Sequence, residues 1–136
     1  MARIRQDVTD AELGVLQALW DGGPAPIRRI TDALYPEGGV SHYATVQKLL
    51  ERLESKGYVR RDRSASVHVF AAAVGRDELI GRRLRSIADK LCGGSLTPLL
   101  SHLIQSRSLS ARERQSLREL IENLDTQNRS RRRPRD

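Results

Sequence analysis

Apolar residues in the first half of the chain recur at helical spacing and then, briefly, at every second position. Thr9-Asp-Ala-Glu12 has the form of a capping box, in which the Thr hydroxyl and the Glu carboxylate each satisfy a backbone N–H left over at a helix start. Leu13, Leu16, Leu19 and Trp20 continue as a stripe that Asp21-Gly-Gly-Pro24 stops. A short second helix is expected after Pro26, with Ile27, Ile30 and Leu34 on one face and Pro36 as its end. The third helix carries the strongest pattern: after the Gly38-Gly39 turn and a cap at Ser41 or His42, Val46, Leu49, Leu50 and Leu53 fall at i, i+3, i+4 and i+7. Gly57 is placed to close it in a left-handed cap. Tyr58 to Asp62 and Val67 to Ala71 then alternate with a period of two, joined by Arg63-Ser-Ala-Ser66, and predict a hairpin with a polar tip.

Three helices followed by a hairpin is the order of a winged helix-turn-helix, whose second helix of the pair can enter a major groove. Beyond Gly75 the pattern is wholly helical. Ile80, Leu84, Ile87 and Leu91 form one stripe ended by Gly93-Gly94. Leu96, Leu99, Leu100, Leu103 and Ile104 form a second, and Leu117, Leu120, Ile121 and Leu124 a third behind the capping box Ser110-Ala-Arg-Glu113. Three short amphipathic helices make a poor core of their own, and a second copy of the chain is the cheapest cover for their apolar faces. Folding back onto the first half is the alternative. The fold expected is mainly α with a small β-hairpin. Residues 1–75 form a winged-helix DNA-binding domain, 76–124 a helical dimerisation region, and 125–136 a disordered Arg-rich tail. Pairing is expected through Ile80, Leu84, Ile87, Leu91, Leu99, Leu103, Leu117, Leu120, Ile121 and Leu124.

Composition changes this picture in one respect. The 136 residues include 24 basic and 17 acidic side chains, a net charge of +7. The excess is uneven: residues 1–75 carry 10 basic and 9 acidic side chains, whereas residues 129–136 carry 5 and 1. That basic segment suits a polyanion, nucleic acid above all, though a merely solubilising end is the alternative. No run approaches the roughly 20 apolar residues that cross a bilayer, and the charged first residues lack the apolar stretch of a secretory signal, so a cytoplasmic protein with no membrane partner is expected. A single cysteine, Cys92, excludes an intrachain disulfide and a multi-cysteine metal site.

The chain shows no Gly-rich phosphate loop, no Ser/His/Asp set and no metal-spaced pair among its three histidines, at 42, 68 and 102. No enzyme, cofactor or metal is therefore expected. Rotation by about 100° per residue puts Ala44, Thr45, Lys48, Glu51, Arg52 and Ser55 on the outward face of the third helix. Thr45 can hydrogen-bond a base edge or a phosphate, Lys48 can reach guanine or the backbone, Arg52 can clamp a phosphate, and the Ala44 methyl suits a thymine methyl. Glu51 shares that face and would repel phosphate unless paired. Arg28 and Arg29 on the second helix, with Arg61 and Arg63 on the hairpin, would flank the face and hold the duplex backbone. Tyr43 is placed either to donate to a phosphate or to pack against the second helix.

Thr9-Asp-Ala-Glu-Leu-Gly-Val-Leu-Gln-Ala-Leu-Trp20, Tyr43-Ala-Thr-Val-Gln-Lys-Leu-Leu-Glu-Arg-Leu-Glu-Ser-Lys-Gly-Tyr-Val59 and the hairpin ending at Phe70 resemble the penicillinase repressor family of bacterial transcription regulators (BlaI/MecI/CopY type). The resemblance runs from about Val8 to Asn123. It implies a homodimeric repressor that binds a dyad-symmetric double-stranded operator. Three departures stand out. Ser66-Val-His68-Val-Phe70 occupies the place of the family's Arg-x-aromatic-x-aromatic on the hairpin. Ser101-His102 stands where antibiotic-resistance members are cleaved at an Asn-Phe bond, so the resemblance leaves relief of repression to an unknown inducer or proteolytic signal, with a regulatory protease or an antirepressor as the further partner it suggests. Copper-responsive relatives use Cys-x-Cys pairs, which a lone Cys92 cannot supply. A winged-helix protein-protein interaction module is the alternative function.

Overall fold

The computed structural model describes residues 7–106 and 109–132. The order of elements is α1 (Asp10–Gly22), α2 (Ile27–Leu34), α3 (Val40–Lys56), β1 (Val59–Asp62), β2 (Val69–Ala72), α4 (Arg76–Leu91), α5 (Thr97–Ser106) and α6 (Ala111–Arg132). The protein is thus mainly helical, with one antiparallel hairpin, and its first five elements are those of a winged helix. Two compact units divide after Arg83.

In the first unit the helix ends are set by the local chemistry expected. Thr9 Oγ1 accepts from the Glu12 N–H at 3.2 Å, and the Thr9 N–H donates to Glu12 Oε1 at 2.9 Å. Gly57 adopts φ 86° at the end of α3, where its N–H reaches the Glu54 carbonyl and the Tyr58 N–H reaches the Leu53 carbonyl. That pair of bonds is a Schellman cap, and it turns the chain directly into β1. The start of α3 differs from expectation. The helix begins at Val40 behind Gly39 rather than at a Ser41 or His42 cap, because the Tyr35 and His42 rings stack at 3.9 Å and close the turn. Gly39 has φ 132°, and a Cβ there would fall 2.7 Å from the His42 ring.

The core is built from one stripe of each element. Val15, Leu16 and Leu19 of α1, Ile30 of α2, and Val46, Leu49, Leu50 and Leu53 of α3 meet Val59 and Phe70 of the hairpin. Phe70 is almost wholly buried, and its backbone exchanges two 2.9 Å hydrogen bonds with Ala25, so the α1–α2 connection lies against β2. The strands register Val59 with Ala72 and Asp62 with Val69. Trp20 donates from Nε1 to the Val74 carbonyl at 2.8 Å. The unit also takes in the first turns of α4, past the boundary expected at residue 75. Leu79 belongs to the core, and the Arg83 guanidinium donates to the Val8 carbonyl.

The second unit begins at Leu84. Gly93 and Gly94 end α4 with positive φ, and the Gly94 N–H donates to the Ala88 carbonyl at 2.8 Å. The Ser110–Glu113 capping box starts α6. Among the described residues of this unit Ala88 alone is fully buried. Leu84, Ile87, Leu91, Leu103, Leu117, Leu120, Ile121 and Leu124 are exposed, as is Ile80 in the first unit, and Leu99 is half-buried. Residues 125–132 are helical rather than the disordered tail expected, because no Gly or Pro interrupts a run of residues compatible with helix before Pro134. Residues 133–136 lie outside the described residues.

One buried ion pair ties α1 to α3. Lys56 Nζ lies 2.7 Å from Glu12 Oε1 and also donates to the Asp7 carbonyl, while Glu12 Oε2 is buried without a partner. Burial pushes the Glu12 carboxyl up, but the hydrogen bonds from Lys56 and Thr9 outweigh it and hold the group below its ordinary value. Removing one member leaves the other charge uncompensated, so Lys56→Met is expected to destabilise the fold by about 3 kcal/mol in urea unfolding. Because the folded carboxyl titrates below the unfolded one, the Glu12 contribution is complete above about pH 5. It is lost as pH falls through the folded value, and Glu12→Gln should flatten that acid limb of the stability profile.

Candidate nucleic-acid interface

The outward face of α3 is set by its inward one. With Val46, Leu49, Leu50 and Leu53 in the core, Ala44, Thr45, Lys48, Glu51, Arg52 and Ser55 are all exposed. The Thr45 hydroxyl donates to the Ser41 carbonyl at 3.2 Å, leaving its oxygen as an acceptor. Glu51 forms no ion pair among the described residues, so the face keeps the mixed charge expected of it.

Beside this face lies a cleft of about 410 Å³, lined by the start of α2, one flank of α3 and the hairpin. Arg28, Tyr43 and Arg61 meet there with Gln47, Ser66 and His68, over a floor that includes Ile27 and Phe70. The Arg28 guanidinium stands 5.8 Å from the Tyr43 ring centroid, which relates Tyr43 to α2 while its side chain stays exposed. The start of α2 has no side-chain cap, so the partial positive charge of its first N–H groups adds to that of the arginines. The Arg28 guanidinium, with an imidazole, a phenol and an amide around one depression, can hold an anion of phosphate size.

The hairpin arginines behave differently from one another and from expectation. Arg61 is largely buried: its guanidinium sits 4.7 Å from the Phe70 ring centroid and 3.0 Å from Glu54 Oε1. Arg63 is exposed and lies 3.5 Å from the other Glu54 oxygen. Arg61 is thus first a strut between hairpin and α3, and only secondarily a flanking cation. At the hairpin tip the Ser64 N–H donates to Asp62 Oδ1 at 2.9 Å, and the Ser64 hydroxyl and N–H together lower the Asp62 carboxyl below its ordinary range. Arg29 and Arg52 are exposed but do not line the cleft.

Gln47, Ser66 and His68 were not among the residues expected. Gln47 falls one helical turn after Tyr43, on the edge of the α3 stripe rather than opposite it, and that spacing was the available signal. Ser66 and His68 enter through the fold of the hairpin, which no local spacing specifies.

The sequence model of the penicillinase repressor family matches residues 8–123, from the start of the winged unit into α6. The chain belongs to the penicillinase repressor family. This is a family of DNA-binding transcriptional regulators, not of enzymes. The transcriptional regulator BlaI of Mycobacterium tuberculosis, in strains CDC 1551 / Oshkosh and ATCC 25618 / H37Rv, is 30% identical over 118 residues, covering 85% of this chain and 83% of that one. An uncharacterised 16.5 kDa protein in the ptsI 3' region of Latilactobacillus sakei is 26% identical over 121 residues, covering 89% of this chain and 82% of its own. The crystal structure of the transcriptional regulator Tm0710 from Thermotoga maritima aligns with a TM-score of 0.47 at 18% identity, over 90% of this chain and 78% of that one. Within the family match, Ser101 and His102 both lie exposed on α5. No helix among the described residues is long and apolar enough to cross a membrane.

The strut role of Arg61 has a measurable consequence. Arg61→Ala removes a half-buried ion pair and a cation–π contact and should lower stability by about 1 kcal/mol. Arg63→Ala, at an exposed pair, should change it by less than about 0.5 kcal/mol in the same denaturant titration.

Proposed function

We propose that the protein is a homodimeric repressor that places one α3 in each of two successive major grooves of a dyad-symmetric operator. The observation that carries this reading is the wholly exposed polar face of α3 beside a cationic cleft, in a chain of the penicillinase repressor family. Lys48, Thr45 and Ala44 would read base edges. Arg52, Arg28 and Tyr43, with Gln47 and Ser66, would hold the backbone and set register. Arg29 and Arg63 would lie outside these contacts and add charge.

Pairing through the second unit is supported by its lack of a core. The stripes of α4, α5 and α6 leave large apolar side chains in water, and a two-fold partner covers them with the same surface. Two half-sites held together gain affinity through effective concentration, by about 10²–10⁴ over one alone. Loss of the dimer would then release the operator, whatever signal triggers it. The BlaI relative is named a transcriptional regulator, which agrees with this reading without specifying the inducer.

Footprinting of the purified protein on the DNA upstream of its own gene should show a protected dyad. Lys48→Ala and Arg52→Ala should each weaken that binding by about 5- to 150-fold while leaving the unfolding midpoint in place. An absence of protection, with binding to a protein partner that is insensitive to salt, would replace the regulator by an interaction module. A paired substitution, Leu120→Glu with Leu124→Glu, should convert the protein to a monomer by light scattering and remove operator protection together with it.

A further inference from the structure

Little of this chain's positive excess lies where the duplex is expected to sit. Residues 1–75 hold 10 basic against 9 acidic side chains. Within the winged unit, Lys56, Arg61, Arg63 and Arg76 are engaged with Glu12, Glu54 and Asp21. Cations so engaged neutralise carboxylates before they neutralise phosphates, so the winged unit alone draws a polyanion weakly.

The charge lies instead at the far end of α6. The helix continues from Leu124 to Arg132, about 12 Å further at 1.5 Å per residue. The apolar stripe of Leu117, Leu120, Ile121 and Leu124 stops there. At about 100° per residue its line runs on through Asn128 and Arg131, so this part of the helix does not extend an apolar pairing seam. The family match also stops short of it, at residue 123. Arg129 and Arg131 are exposed, Arg132, Arg133 and Arg135 follow in the sequence, and no acidic residue stands between Asp125 and Asp136. Apart from Pro134, no apolar side chain occurs from residue 125 onward to insert into a lipid interface. What remains is a sequence dense in arginine, a composition suited to the phosphates of a nucleic-acid backbone.

We propose that the arginines at the end of α6, Arg129, Arg131 and Arg132, together with Arg133 and Arg135 that follow them in the sequence, are a second DNA contact, independent of base sequence, that engages backbone phosphates outside the bases read by α3. This inference rests on the DNA-regulator reading above. The contact raises affinity for every duplex alike and so supplies attraction rather than discrimination.

The test compares the full chain with a variant in which Arg129, Arg131, Arg132, Arg133 and Arg135 are all Gln. Each binds the footprinted operator duplex and a scrambled duplex of equal length, followed by fluorescence anisotropy across a KCl titration. The variant is expected to lose about tenfold or more on both duplexes at low salt, with a shallower dependence of log affinity on log salt and an unchanged ratio between them. Lys at the same five positions should restore most of the slope. Unchanged affinity and slope would overturn the proposal, as would a loss confined to the operator. Tighter binding of the full chain to phosphatidylserine vesicles than to either duplex would overturn it as well. A full chain that binds both duplexes equally, with the Gln variant losing both, would uphold this contact while removing the operator reading.

Discussion

The cleft and the candidate interface beside it depend on the pairing of Ala25 with Phe70. Two backbone hydrogen bonds join the α1–α2 connection to β2, and the buried Phe70 ring packs into the core beneath them. Pro26, Ile27 and Arg28 follow Ala25 directly, while Val67 and His68 precede Phe70, so one bridge sets both walls of the cleft. The third wall is α3, whose rotation is fixed by four apolar side chains on one side. A winged helix presents a reading helix and a wing together because these contacts share a single core.

Within this frame the carboxylates distribute the cations. Glu12 is buried and takes Lys56, which joins the start of α1 to the end of α3. Glu54 takes both Arg61 and Arg63, which joins the hairpin to the same helix. Asp21 takes Arg76, whose guanidinium also stands over the Trp20 ring, joining the end of α1 to the start of α4. Lys48, Arg52, Arg28 and Arg29 form no ion pair among the described residues, and these are the cations nearest the outward face and the start of α2. The charge left for a ligand is thus concentrated by position more than by number.

What could be read from the sequence follows how local each determinant is. The Thr9–Glu12 box, the Gly57 cap and the Val46–Leu53 stripe act within a few residues, and each element they imply is present. The hairpin was legible in its alternation, with strands shorter than the alternating runs. The cleft was not legible, because its lining comes from three segments joined only through the core. Arg61 illustrates the limit: the alternation places it on the hairpin, but only the proximity of Glu54 and Phe70 shows that it is a strut. The helical state of residues 125–132 was missed for another reason. Charge composition argued for disorder there, while no Gly or Pro interrupts the helix capped at Ser110 as far as Arg132.

The outward face of α3 takes no part in holding α3 in place. Ala44, Lys48 and Arg52 are exposed, and neither Lys48 nor Arg52 belongs to an ion pair among the described residues. Side chains there can be exchanged at little thermodynamic penalty to the scaffold. On the proposed reading of α3 as the DNA-reading helix, a lineage built on this frame can acquire a new genomic address by altering a few solvent-facing positions, and the same scaffold can serve many separately evolving switches.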